Sequence, residues 1–147
     1  MTMHRRPLGR GRTLATIAGI LMVLSCVLQW WQVGGTPGIP QHSENGFPGS
    51  GIVIFLVGIA ALALVALPYA AGDRPVSTDR WLTFALLAGA GWLGFAWKVI
   101  NLTLIGAFQF AEPADVFSHG PEIWVAVLGL LVLTRGALEM AAEPARR

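Results

Sequence analysis

One lysine, Lys98, stands inside AGAGWLGFAWKVINLTLIG (Ala88 to Gly106), a stretch otherwise without charge and rich in Gly and Trp, and the chain has no other lysine. An ammonium placed in hydrocarbon is costly, so a residue of this kind is expected to be paired, to reach the interface, or to serve a function. The chemistry open to it is ion pairing, recognition of an anionic lipid head group or small acid, or proton coupling. The acids that could answer it are Glu44, Glu112, Asp115 and Glu122. Glu112 and Asp115 follow its segment closely enough for the chain to fold back over it, so Lys98, Glu112 and Asp115 form the candidate binding or ion-pair site. At such a pair Lys98→Met should be tolerated better than loss of the acid, which strands a cation near hydrocarbon.

Other reactive residues offer less. His42, Glu44, Asp115 and His119 are a conceivable metal set of two imidazoles and two carboxylates, but their spacing matches no zinc pattern. There is no Gly-rich phosphate loop, no GxSxG and no HExxH, and no nucleophile with a base beside it. No catalytic, cofactor-binding or metal residue is therefore assigned, and no enzymatic activity is expected. Cys26 is alone, which rules out an internal disulfide and any thiol chemistry that needs a cysteine pair. Asn101-Leu102-Thr103 fits a glycosylation triplet but hugs an apolar run.

The elements that position these residues are read from apolarity. With 54% hydrophobic and 12% charged residues, six tryptophans and a mean hydropathy of +0.62, the chain is far more apolar than a soluble domain, where about a quarter of residues are charged. Four apolar runs predict helices at about 13–33, 51–71, 80–104 and 120–142, each near the ~20 residues that cross a bilayer. So little chain remains outside them that 1–147 is read as a single membrane domain, an all-α integral membrane four-helix antiparallel bundle.

Several local signals support these boundaries. The arginine-rich start before helix 1 also fits a signal peptide, and Val23-Leu24-Ser25-Cys26 loosely fits a lipobox. The apolar run continues past Cys26 to Val33, so an uncleaved span is expected. Gln29-Trp30-Trp31-Gln32 at its end reads as an interfacial tryptophan anchor. Residues 34–51 are dense in Gly and Pro and read as a loop. Pro121 and Glu122 suit a helix start. Arg135 comes so soon after them that it must reach toward the interface or the helix must continue through ALEMAA.

Orientation follows from the arginines. Four precede helix 1, two lie between helices 2 and 3, and three end or follow helix 4, while the two remaining loops carry none. Positive residues stay on the cytoplasmic side. The expectation is a multi-pass protein of the plasma membrane with both termini cytoplasmic. The arginines lie in clusters beside apolar runs with no basic, aromatic-interleaved surface, so nucleic acid is not expected as a partner.

Helix 3 carries small residues four apart, Ala85 with Gly89 and Ala90 with Gly94, which let a neighbouring helix approach closely. Packing within the bundle, a homo-oligomer or another membrane protein could use them. The two halves also share a faint pattern of arginine, tryptophan-ended helix and outer loop. With LQWWQ ending helix 1, SGIVIF opening helix 2 and WKVINL late in helix 3, the chain resembles small uncharacterised tetraspan membrane proteins of actinobacterial type. That resemblance implies a four-helix membrane protein and assigns no functional residue. The function expected is a non-enzymatic accessory or partner-binding protein. The alternative is a binder or transporter of a lipid or small anionic molecule in an outward-facing cavity around Lys98.

Overall fold

The structure, a computed structural model, describes residues 9–33, 42–70, 81–104 and 121–143. Its elements are α1 (Arg10–Val27), strand β1 (Gln29–Val33), strand β2 (His42–Asn45), a 3-10 turn (Gly49–Gly51), α2 (Ile52–Ala70), α3 (Trp81–Leu104) and α4 (Pro121–Ala142). All four α-helices are long and apolar enough to cross a membrane. They pack side by side as an antiparallel bundle in which α1 lies between α2 and α4, and α3 closes the ring against the same two helices. The membrane character rests on the length and apolarity of these helices.

Helix 1 is shorter than expected. It stops at Val27, and Gln29–Val33, assigned to its end by hydropathy, forms a strand that pairs antiparallel with His42–Asn45. Part of the segment expected to be a loop is thus the second strand of a hairpin. The physical reason is that Gln29-Trp30-Trp31-Gln32-Val33 combines aromatic and β-branched residues, which suit a strand as well as an interface. Length and apolarity do not separate the two. At the other end of the bundle α4 opens at Pro121 and runs on through ALEMAA to Ala142, with Arg135 donating to Glu139 at 2.6 Å one turn later.

Glycines set how closely the helices approach. A Cβ on Gly136 would lie 2.9 Å from the Gly11 carbonyl oxygen, and one on Gly11 would lie 2.8 Å from that of Gly136. The same reciprocity joins Gly19 of α1 to Gly58 of α2, at 3.0 and 3.1 Å. Gly11, Ala15 and Gly19, four apart, therefore form the ridge on which α2 and α4 close. Around it Met22, Ile54, Phe84, Leu130 and Leu133 fill the core and are wholly buried.

The 24 residues of α3 outlast the 18 of α1, by ~9 Å at 1.5 Å per residue. Gly94 of α3 packs on Val53, and its added Cβ would lie 3.5 Å from the Ser50 carbonyl, so α2 begins level with Gly94 and α3 projects above it. In the hairpin, β1 packs against α4 and the end of α1.

Candidate functional site

The hairpin caps the helix ends beneath it. The last carbonyls of a helix have no partner within it and must find one elsewhere. Here Gly46 N–H donates to Cys26 O at 3.1 Å, and the Trp30 indole N–H donates to Ser25 O at 2.7 Å. The register between β1 and β2 slips between Gln29 and Trp31, an irregularity at Trp30 of the kind that re-aims a side chain. The indole is 0% exposed and its ring lies 6.2 Å from that of Phe95, which in turn meets Trp92 edge-on. Trp30 is accordingly a plug in the bundle end, which corrects its expected role as an interfacial anchor.

Lys98 belongs to this cap. It is 5% exposed, and its Nζ donates to the Pro48 carbonyl at 2.9 Å. Six residues of α3 follow it, so its Cα lies ~9 Å below the helix end. Pro48 caps the 3-10 turn that leads into α2, and the ammonium therefore ties α3 to the first turn of α2. Glu112 and Asp115, the expected partners, lie outside the described residues, as do the side chains of Glu44 and Glu122. Asp115, His119 and the side chains of His42 and Glu44, weighed as metal ligands, are outside them too. The positive start of α2 stands beside the lysine, which favours acceptors around it and disfavours further cations.

A charge-assisted hydrogen bond is worth about 1.5–3 kcal/mol, and a buried carboxylate in the same place would face the carbonyl with like sign, a cost that the positive start of α2 offsets only in part. Lys98→Glu should therefore cost much more stability than Lys98→Met, which removes the burden of a buried charge together with the bond. Thermal unfolding of the two variants in detergent checks the order. Equal losses would remove the Pro48 contact from the account.

The second place of interest lies between α3 and α4. A groove of about 250 Å³ runs there, floored by Ala85, Ala88, Gly89 and Ala137 and walled by Trp81, Trp92 and Leu138. Its polar atoms are satisfied internally. The Trp92 indole N–H donates to the Thr134 hydroxyl at 3.1 Å, and that hydroxyl donates to Leu130 O at 2.8 Å. The surface left is apolar and suits an apolar occupant.

Of the small residues picked out on helix 3, Gly94 and Gly89 have opposite fates. Gly94 is covered by Val53 of its own chain, at 2.7 Å from an added Cβ, whereas a Cβ on Gly89 would meet nothing within 4 Å. Ala85 lines the groove beside Gly89, and Ala90 is exposed. Gly11, Gly19, Gly58, Gly91, Gly129 and Gly136 all have neighbours within 3.1 Å of an added Cβ. Thr134, Ala137 and Leu138 escape a reading of the sequence because nothing in it says which helix lies beside α3.

No family model, curated protein or solved structure matches this chain.

Proposed function

We propose that this is a non-enzymatic accessory protein of the plasma membrane that acts by docking a transmembrane helix of a partner, or of a second copy, in the groove between α3 and α4. Gly89 carries the proposal. A glycine inside a helix costs about 0.5–1 kcal/mol relative to alanine, a cost that the other six helix glycines of the core and Gly94 offset by close packing. At Gly89 that offset has no source within the described chain. A partner helix crossing over Ala85 and Gly89 would supply it.

The rival reading, a binder of a lipid or small anion around Lys98, asks for an ammonium turned toward an open cavity. The engagement of Lys98 with Pro48 supports the partner reading instead. The positive start of α2 adds to the case for Glu112 or Asp115 as a counter-ion to Lys98, in the role of a structural tie.

The test is photo-crosslinking from position 89 in native membranes, with position 59 on α2 as control, since Ile59 is exposed away from the groove. A protein adduct from 89 and none from 59 is expected. Adducts of lipid alone at both would overturn the proposal.

The arginine distribution supports cytoplasmic termini and an outward hairpin. Alkaline phosphatase fused after Gly46 should be active and the same enzyme fused at the C-terminus inactive. The reverse pattern would invert the protein.

A further inference from the structure

A second indentation lies on a different face, between α1 and α4 at the end opposite the hairpin. It measures about 290 Å³ and is lined by Arg10, Thr13, Leu14 and Glu139. Its chemistry differs from that of the groove, because it sets fixed charges of both signs around an apolar floor. Glu139 accepts from Arg135 at 2.6 Å. The carboxylate of Glu143 lies against the backbone just before Arg10, with its Oε1 2.9 Å from where a Cβ on Gly9 would stand. Arg10 makes no ion pair among the described residues. Among the described residues, Arg10 and Glu139 thus line the rim with opposite charge, Arg135 being bonded to Glu139 and Glu143 lying beside Gly9.

The geometry points to a binding site for a phospholipid whose head group carries a phosphate and a primary ammonium, as in phosphatidylethanolamine. Among the described residues Arg10 has no acid of its own, and it takes the phosphate as a charge-assisted acceptor. Glu139 and Glu143 face the ammonium, whose three N–H donors match carboxylate oxygens. Leu14 forms the floor, and Ile17, exposed one turn beyond Thr13, continues an apolar path along α1 for an acyl chain. The position agrees with the ligand, because this rim lies where a membrane-crossing helix leaves hydrocarbon. An anionic lipid with no ammonium would meet the same two carboxylates with nothing to offer them. A choline head group lacks the N–H donors.

The site lies apart from the α3 and α4 groove, and the proposal stands independently of that groove's role. The experiment is native mass spectrometry of the full chain, purified in detergent and stripped of lipid, titrated in turn with dioleoyl phosphatidylethanolamine, phosphatidylglycerol and phosphatidylcholine. Phosphatidylethanolamine should bind about tenfold more tightly than either of the others, which corresponds to about 1.4 kcal/mol. Arg10→Gln should weaken all three. Glu139→Gln frees Arg135 and removes one carboxylate, so it should abolish the preference for the ethanolamine lipid and raise the affinity for phosphatidylglycerol. Equal or tighter binding of phosphatidylglycerol by the unmodified chain would overturn the proposal, and so would retention of no lipid. A Glu139→Gln chain that keeps the original ranking would do the same. The ranking in the unmodified chain decides the matter even if a variant fails to fold.

Discussion

Trp30→Ala should destabilise the bundle by about 3–5 kcal/mol, the range for truncating a large buried aromatic side chain. The indole is wholly enclosed, so its removal leaves a cavity at the bundle end that the surrounding rings cannot fill without moving. Phe95 loses one of its two ring neighbours among the described residues and keeps Trp92. The Ser25 carbonyl also loses its donor. Gly46 sits so close that an added Cβ would lie 2.6 Å from the indole Nε1, and the turn after β2 is built around the ring. The comparison is Trp97→Ala, where the side chain is 61% exposed on the outer side of α3 and its loss should leave stability nearly unchanged. Chemical unfolding of both variants in one detergent measures the difference. Similar losses at the two positions would mean that Trp30 is an interfacial anchor after all.

The second large effect is expected at the glycine contacts. Gly136→Val puts a branched side chain against the Gly11 carbonyl and the Ala15 N–H, at 2.9 and 3.2 Å from the first added carbon. These are backbone atoms of a helix and cannot turn aside as a side chain would. Overpacking typically costs 1–3 kcal/mol, and with backbone on both sides the upper end, about 3 kcal/mol, is expected. Gly58→Val meets the Gly19 carbonyl in the same way and should cost a similar amount. The two contacts lie on different helix pairs, so the losses should add in the double variant. Thermal unfolding of the two single variants and the double checks both points. Wild-type stability in Gly136→Val would show that α1 and α4 do not approach as described.

What the sequence made legible follows from what apolarity can and cannot encode. Four long apolar runs bounded by arginines, Gly and Pro locate four helices, because only a helix satisfies its own backbone in hydrocarbon. Gln29 to Val33 reads as the end of a helix because the residues of a strand and those of an interface overlap, and the polar partner strand His42-Ser43-Glu44-Asn45 carries no strand signal of its own. The contact between Lys98 and Pro48 was invisible for a different reason. Its acceptor is a backbone carbonyl, which every residue has, so no side-chain type marks it. Gly11, Ala15 and Gly19 are as regularly spaced as Ala85 and Gly89, and spacing alone does not say which stripe meets a neighbour in its own chain. The packing assigns α1 to the interior contacts and leaves Gly89 open.

That opening carries the central claim, and photo-crosslinking from position 89 in native membranes tests it most directly when repeated in a chain carrying Leu at position 85. Ala85→Leu fills the groove from its floor without touching the glycine contacts of α1, so the bundle should unfold at the wild-type temperature while the protein adduct from position 89 disappears. An adduct that persists with the groove filled, or an Ala85→Leu chain that loses stability as Gly136→Val should, would contradict the assignment of this groove to a partner helix.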